Sequence, residues 1–217
     1  MKLFIDSGNI KDIETLVAIG IIDGVTTNPT LLAKEPGDYR ENLKKICQIV
    51  KGPVSGEVTA TDFAGMITQG HDIARIDQHM IVKVPLTRDG IKACKSLSDE
   101  GIRVNVTLCF SAAQALLAAK AGATFVSPFV GRLDDIAMNG MDLIREIVDI
   151  YDNYEFSTEV LVASCRHPIH VTEAARMGAD IATCPPAVID QMFNHPLTNI
   201  GLEKFLKDWE KSQAVKA

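Results

Sequence analysis

The feature that most constrains the fold of this chain is an alternation of short apolar runs with longer stretches of helical pattern. There are eight such runs, and they are rich in Val, Ile, Phe and Thr, as buried strands are. They are Leu3–Asp6, Gly24–Asn28, Val54–Thr59, Met80–Pro85, Arg103–Leu108, Thr124–Val130, Val160–Ser164 and Asp180–Cys184. Through the first six runs, one polar residue per run recurs every 22 to 29 residues, which fits one strand, one helix and two turns.

Eight strands, each followed by a helix, predict an α/β protein with a single (β/α)8 TIM-barrel domain over residues 1–217. The main alternative is an open doubly wound sheet, which normally carries a glycine-rich dinucleotide loop after its first strand. The chain reads Asp6-Ser7-Gly8-Asn9 there, and it contains neither G-x-G-x-x-G nor G-x-x-x-x-G-K. The sequence therefore favours the closed barrel.

The stretches between the runs have the pattern of helices. Ser111 and Gln114 form a capping box before an alanine- and leucine-rich stretch that ends at Gly122. Apolar residues recur at helical spacing over Met141–Tyr151. The long gap between the sixth and seventh runs leaves room for an extra loop or short helix.

The last segment, Thr198–Gln213, predicts a further amphipathic helix. One of its faces carries Leu202, Phe205, Leu206 and Trp209. Because an apolar stripe of this kind must be covered, the helix is expected either to close the bottom of the barrel or to contact another subunit.

The composition is that of a globular protein, with 47% hydrophobic and 23% charged residues, which argues against disorder and coiled coil. A net charge of −6 without a basic stretch makes nucleic acid and anionic membranes poor candidate partners. The five cysteines form no C-x-x-C motif and are expected to be reduced thiols. The start resembles no signal peptide and no run reaches membrane-spanning length, so a cytoplasmic protein is expected.

Polar residues occur where the interior of a barrel should be apolar. Side chains alternate across a strand, so residues two apart share a face. In each of the first seven runs, the face opposite the aliphatic residues carries a polar or ionisable group near the carboxyl end, with Val162 and Ser164 assigned to that face in the seventh. Active sites of such barrels lie at this rim. The candidates are Asp6, Thr26, Asn28, Glu57, Lys83, Asn105, Thr107, Ser127 and Ser164.

Lys83 is the most informative of these residues. It lies in the apolar run Ile81–Pro85, and lysine is almost never buried without a partner or a function. An edge strand with a solvated lysine is the structural alternative. Burial among Ile and Val would favour the neutral amine, and such an amine forms a Schiff base with a carbonyl substrate.

Asp6 and Glu57 are candidate acid/base groups beside this amine, although either could instead form a salt bridge or cap a turn. Asn28, Asn105 and Thr107 could bind the hydroxyls of a polyol, or could cap strand ends.

Two arginines and a serine follow the sixth and seventh runs. Arg132, Ser164 and Arg166 could together bind a phosphate, at the place where barrels of this type often do so. Surface arginines are the alternative. His167 and His170 lack the further ligands that a zinc site needs, so no metal is expected.

Several segments together resemble the small, single-domain transaldolases and the related fructose-6-phosphate aldolases. The resemblance runs from the first strand to the final helix. It is carried by Phe4-Ile5-Asp6-Ser7, Gly24-Val25-Thr26-Thr27-Asn28-Pro29, Val82-Lys83-Val84-Pro85, Asn105-Val106-Thr107, Ser127-Pro128-Phe129-Val130-Gly131-Arg132 and Ala163-Ser164-Cys165-Arg166.

The resemblance implies a role for each candidate. The Schiff-base lysine falls on Lys83, the acid/base aspartate on Asp6, and a glutamate that works through a water on Glu57. Other positions hold the dihydroxyacetone unit and that water: Thr26, Asn28, Asn105, Thr107 and Ser127. The phosphate contacts fall on Arg132, Ser164 and Arg166. No cofactor or metal is implied.

Two positions distinguish the related activities. The aldolases carry glutamine at the position of Glu57 and tyrosine at that of Phe129, so this chain resembles the transaldolases at both. The resemblance implies sugar-phosphate substrates of the pentose phosphate pathway. It also implies a homo-oligomer, a pentamer or a decamer, with Thr198–Gln213 crossing between neighbours. A fructose-6-phosphate lyase, a non-catalytic sugar-phosphate binding protein and a metal-dependent aldolase are the alternatives.

Overall fold

The computed structural model describes residues 1–216, and the surroundings of side chains through Ala214. Eight parallel strands form a closed barrel in which each pairs with its sequence neighbours and the last pairs with the first. This confirms the predicted (β/α)8 barrel. The strands are β1 (Lys2–Asp6), β2 (Gly24–Thr26), β3 (Val54–Glu57), β4 (Met80–Pro85), β5 (Val104–Cys109), β6 (Phe125–Pro128), β7 (Glu159–Val162) and β8 (Ile181–Cys184).

Helices surround the barrel. They are α1 (Ile10–Val17), α2 (Pro29–Leu32), α3 (Tyr39–Val50), α4 (Phe63–Ala74), α5 (Arg88–Asp99), α6 (Ala112–Lys120), α7 (Val130–Asp134), α8 (Gly140–Asn153), α9 (Pro168–Met177), α10 (Pro186–Phe193) and α11 (Pro196–Lys216). The side chain of Ser111 accepts a hydrogen bond from the Gln114 amide and starts α6, as the sequence predicts. The helix predicted over Met141–Tyr151 is the core of α8, and α7 is the short helix in the long gap.

Two separate apolar layers follow from the alternation of side chains. The larger layer fills the space between the outer faces of the strands and the helices. A smaller cluster fills the inside of the barrel and includes Phe4, Ile81, Phe125 and Ile181. The rings of Phe4 and Phe125 meet edge to face, with centroids 6.1 Å apart.

A polar layer lies one step above this inner cluster. Two residues beyond each of the four apolar residues, on the same strand and face, come Asp6, Lys83, Ser127 and Thr183. The apolar cluster therefore closes the barrel from below, and the polar side chains occupy the end where the strands terminate. This layering gives a barrel of this length both a packed interior and a chemically active rim.

The prediction for the inner face of β7 was wrong. Leu161 and Ala163 point into the barrel, whereas Val162 packs in the outer layer. Ser164 still reaches the rim, because the strand ends at Val162 and Ser164 takes a left-handed backbone conformation with φ of 60°. Alternation along the strand cannot be extended through a residue that has left the strand.

The last helix neither closes the barrel nor packs on it. α11 contains the predicted Thr198–Gln213 and extends it at both ends, but its apolar residues face outward. Phe205 is 72% exposed and Trp209 is 65% exposed. The expectation of a lid under the barrel was therefore wrong. None of the helices within residues 1–216 combines the length and apolar character needed to cross a bilayer.

Candidate active site

Lys83 lies in the centre of the barrel and is only 4% exposed. Its Nζ is 2.9 Å from Glu57 Oε2 and donates a hydrogen bond of 3.0 Å to the carbonyl oxygen of Thr27. The pairing of β3 with β4 sets Glu57 directly beside Lys83. Because the barrel is closed, β4 has no free edge, and the alternative of a solvated lysine on an edge strand was wrong.

A cavity of about 170 Å3 opens from Lys83 to the surface at the carboxyl ends of the strands. It brings together nine of the twelve predicted site residues, and two residues that were not predicted, Ala163 and Thr183. The nine are Asp6, Thr26, Asn28, Lys83, Ser127, Phe129, Arg132, Ser164 and Arg166. The other three, Glu57, Asn105 and Thr107, are not among the residues that line this cavity and lie on β3 and β5, the strands that flank Lys83.

Asp6 faces the same space from β1. Burial raises the pKa of its carboxyl group above the ordinary value, and the charge of Glu57 acts in the same direction. The Lys83 charge and a hydrogen bond from Thr26 oppose this rise in pKa. That bond runs from Thr26 Oγ1 to Asp6 Oδ1 and is 2.9 Å long. Asp6 is therefore a carboxyl group whose proton affinity is set by four competing influences.

The floor of the site on β5 and β6 is a chain of amide and hydroxyl groups. Ser127 Oγ donates to Asn105 Oδ1 at 2.7 Å, and Asn105 Nδ2 donates to Ser55 Oγ at 3.2 Å. These contacts fix the orientation of the Asn105 amide. Thr107 Oγ1, one step further along β5, is buried and has no hydrogen-bond partner among the described residues. A buried hydroxyl of this kind is suited to bind a water or a substrate hydroxyl.

Asn28 has a structural task as well as a place in the cavity. Its Oδ1 accepts a hydrogen bond of 2.9 Å from the Leu31 amide and caps α2. The capping role considered from the sequence is therefore present. The amide nitrogen of the side chain is not used by that cap, so it is the group that Asn28 can offer to a ligand.

The two arginines lie at the outer end of the cavity and are exposed. Arg132 lies 5.3 Å from the centre of the Phe129 ring, a cation–π contact that orients its guanidinium group. Arg166 Nη2 donates to Asp135 Oδ2 at 2.8 Å. Together with Ser164 they line a positively charged rim of the cavity, and guanidinium groups are well suited to bind an anion such as phosphate.

Gly131 allows the chain to approach Arg166 closely. Its amide donates to the carbonyl of Ser164 at 3.2 Å, and a Cβ at this position would lie 2.3 Å from that oxygen. The same Cβ would be 2.6 Å from Arg166 Nε. Any side chain at position 131 would therefore push the start of α7 away from Ser164 and Arg166, which follow β7.

His170 supports this rim. His170 Nδ1 accepts a hydrogen bond from the Arg166 amide at 3.2 Å, and its Nε2 is 2.9 Å from Asp134 Oδ2. Burial and the neighbouring His167 lower the pKa of His170. His170 thus connects the backbone before α9, through Nδ1, to Asp134 in α7, through Nε2. Among the described residues, no group of three or more His, Cys, Asp or Glu side chains is placed to hold a metal ion.

Two contributors to the site were missed in the sequence. Thr183 was overlooked because the eighth run was thought to carry no inward polar group, although its spacing from Ile181 could have indicated one. Tyr39 reaches from α3 and donates to the carbonyl oxygen of Glu57 at 3.2 Å. No local pattern around Tyr39 could have placed it there.

Comparison with known proteins gives a consistent result. Residues 3–216 match the family model described as transaldolase/fructose-6-phosphate aldolase. A probable transaldolase from Anaeromyxobacter sp. (strain K) is 58% identical over 211 residues, covering 97% of each chain. A probable transaldolase from Nitrosopumilus maritimus is 57% identical over 215 residues, covering 99% of this chain and 97% of its own. One from Methanococcus vannielii is 58% identical over 210 residues, covering 97% and 98%.

The hydrogen bond from Thr26 generates a prediction about Asp6. Replacing Thr26 with Val removes the donor, so the pKa of Asp6 should rise further, while Thr26→Ser should keep it near the wild-type value. The titration can be followed by NMR on protein with 13C-labelled aspartate carboxyl groups, with Asp6→Asn used to assign the signal. An Asp6 midpoint that is the same in Thr26→Val and in the wild type would contradict this account.

Proposed function

Because the chain belongs to the transaldolase/fructose-6-phosphate aldolase family, we propose that it transfers a dihydroxyacetone unit from a ketose phosphate to an aldose phosphate through a Schiff base on Lys83. The observation that carries this proposal is the environment of that lysine. A buried amine contacts one carboxylate, faces a second across a cavity, and shares that cavity with two arginines. An amine, acids and a cationic rim are what a reaction on a phosphorylated ketose requires.

The first steps form the covalent bond. Lys83 must lose a proton before it can attack, and Glu57, 2.9 Å away, is placed to receive it. The neutral nitrogen then adds to the C2 carbonyl of the ketose to give a carbinolamine. Loss of the C2 oxygen as water gives the protonated imine, with Glu57 and a water held by Thr107 supplying and removing the protons.

The next steps break and remake a carbon–carbon bond. Asp6 takes the proton of the C4 hydroxyl, the C3–C4 bond breaks, and its electron pair moves toward the imine nitrogen. The aldose leaves, and the three-carbon enamine stays on Lys83 with its hydroxyls bound by Asn28, Asn105 and Ser127. A second aldose then adds to the enamine, and the same steps run in reverse. The protonated imine accepts the electron pair, so this route needs no metal or cofactor.

The cationic rim selects phosphorylated sugars in this proposal. Arg132, Ser164 and Arg166 bind the terminal phosphate, which holds the reacting carbons of the sugar near Lys83 and Asp6. The ketoses are fructose 6-phosphate and sedoheptulose 7-phosphate, and the aldoses are glyceraldehyde 3-phosphate and erythrose 4-phosphate. These substrates place the reaction in the pentose phosphate pathway.

Transfer is favoured over simple cleavage by two side chains. Glu57 is a carboxylate in contact with the nucleophile, and Phe129 presents no hydroxyl to the cavity. The probable transaldolases to which the chain is similar carry the name of the transfer reaction. A lyase would release free dihydroxyacetone and would not depend on a second aldose.

Reductive trapping tests the covalent step. Wild-type protein treated with fructose 6-phosphate and borohydride should gain the mass of one reduced three-carbon fragment or sugar on the peptide containing Lys83. Lys83→Ala should gain none, and the exposed Lys45→Ala should be trapped as well as the wild type. The same protein should consume fructose 6-phosphate only when an acceptor aldose is added. A binding protein would leave no adduct, and a lyase would turn over without an acceptor.

The role of Arg166 can be separated from its effect on folding. Arg166→Ala should raise KM for phosphorylated aldoses about tenfold to a hundredfold, since a hydrogen bond to a charged group contributes about 1.5–3 kcal/mol. Turnover with unphosphorylated aldoses should change much less. Arg176→Ala, on α9 and outside the cavity, serves as the control. Equal losses with both classes of substrate would count against a phosphate site.

The exposed apolar residues of α11 support assembly into a homo-oligomer, a pentamer or a decamer, in which this helix crosses to a neighbour. Sedimentation analysis should give a mass several times that of one chain. Replacing Phe205 and Trp209 with Ser should lower that mass, whereas the exposed Lys207→Ser should not. A wild-type monomer at micromolar concentration would refute this assembly.

A further inference from the structure

We infer that Thr183 is a positioning residue that acts through Thr26 to keep Asp6 in its ionised, proton-accepting form. The importance of that form rests on the function proposed above, in which Asp6 accepts a proton. The geometry itself does not depend on that function. Neither the sequence patterns nor the resemblance assigns Thr183 a role.

The three side chains form a continuous line inside the barrel. β1 lies between β2 and β8, so Thr26 and Thr183 approach each other from the two strands that flank Asp6. Thr183 is 2% exposed, and its Oγ1 is 2.7 Å from Thr26 Oγ1. Thr26 Oγ1 is in turn 2.9 Å from Asp6 Oδ1.

The number of hydroxyl hydrogens fixes which residue donates each hydrogen bond in this line. A threonine hydroxyl carries one hydrogen, and that of Thr26 is donated to the carboxylate of Asp6. The short contact between the two threonines therefore requires that Thr183 donates to Thr26. Each hydroxyl then has an acceptor, and the line ends on the negative charge, where a hydrogen bond is strongest.

Protonation of Asp6 disturbs this arrangement whichever oxygen takes the proton. A proton on Oδ2 leaves Thr26 donating to an uncharged group, which is a weaker bond. If the proton is on Oδ1 and points at Thr26, Asp6 donates to Thr26 and Thr26 donates to Thr183, so both hydrogen bonds change direction. The hydrogen of the Thr183 hydroxyl then points away from Thr26. Thr183 Oγ1 has no other hydrogen-bond partner among the described residues, so its hydrogen would then lose its protein acceptor. The line therefore favours the ionised carboxylate in both cases.

Charged groups around Asp6 act on it from other directions. From β4 the charge of Lys83 favours ionisation, and from β3 that of Glu57 opposes it. Cys165, which follows β7, is a buried thiol whose pKa is raised mainly by a hydrogen bond with Cys184 and by burial, and to a smaller extent by the charge of Asp6.

The other charged or titratable groups lie farther from Asp6 or face away from it. Arg132 and Arg166 line the outer part of the cavity, and Cys184, next to Thr183 on β8, faces the outer apolar layer. None of these charged or titratable groups bonds to the Thr183 hydroxyl. A change confined to that hydroxyl therefore isolates its effect on Asp6.

Substitutions at position 183 test the inference directly. Val has nearly the shape of Thr but no hydroxyl, whereas Ser keeps the hydroxyl and loses a methyl group. In the free protein, NMR titration of the 13C-labelled Asp6 carboxyl should move to a higher midpoint in Thr183→Val, by less than in Thr26→Val. Thr183→Ser should restore the wild-type midpoint. The acidic limb of kcat/KM should follow the same order.

An Asp6 midpoint unchanged in Thr183→Val, or shifted equally in Thr183→Ser, would overturn the inference. If Thr183→Val does not fold, Thr183→Ala removes the same hydroxyl and must show the same shift. The NMR titration needs no substrate, so its outcome is independent of the reaction. Failure of the wild type to be trapped at Lys83 would refute the proposed function alone, and trapping without the titration shift would refute only the role of Thr183.

Discussion

The ion pair between Lys83 and Glu57 inside a closed barrel is the interaction on which the site depends. An isolated ammonium group in a protein interior is strongly unfavourable, so the lysine can be buried only with a partner of opposite charge and further hydrogen bonds. The adjacent strand supplies Glu57 at 2.9 Å, and the Thr27 carbonyl supplies a second acceptor at 3.0 Å. The pairing register of β3 and β4 is therefore as important to the chemistry as the identity of the lysine.

The separation of an apolar layer from a polar layer inside the barrel explains how a stable fold can contain reactive groups. The inner apolar cluster around Phe4 and Ile81 fills the barrel below the polar layer, so the charged residues do not interrupt its packing. Above that cluster, most polar side chains contact another polar side chain from a nearby strand, whereas Thr107 Oγ1 has no hydrogen-bond partner among the described residues. Asn105 is oriented by Ser127, and Asp6 by Thr26. The hydrogen bonds within these groups hold their members in defined orientations.

The two ends of the cavity differ in burial and in the elements that carry their side chains. The amine and its acids belong to strands of the barrel, whereas Arg132 and Arg166 lie on the segments that follow β6 and β7 and are exposed. The ion pair of Arg166 with Asp135 is open to solvent, where such pairs stabilise a structure little. In the proposed reaction, Arg166 would exchange Asp135 for a phosphate at small cost. The groups with fixed positions are therefore at the end of the cavity where bonds would form. The exposed, exchangeable charges are at the end that would hold the substrate.

Much of this arrangement could be read from the sequence. The eight apolar runs predict the barrel, because parallel strands buried on both faces need such runs. Alternation within them places Asp6, Glu57, Lys83 and Asn105 at the inner rim, since a strand offers each side chain only two faces. The identity of Lys83 inside an apolar run was enough to mark it, because burial of a lysine demands an explanation.

Other features were decided only by the tertiary structure. The inward face of β7 depended on where that strand ends, and the left-handed turn at Ser164 reversed the extrapolation from Val162. The line from Thr183 through Thr26 to Asp6 joins two strands that are distant in sequence and meet only because the barrel closes around β1. The outward position of the apolar residues of α11 was likewise not determined by the helical pattern, which shows which residues share a face but not what that face contacts. Local patterns fix which side chains face inward, but contacts between distant strands depend on closure, which no single segment encodes.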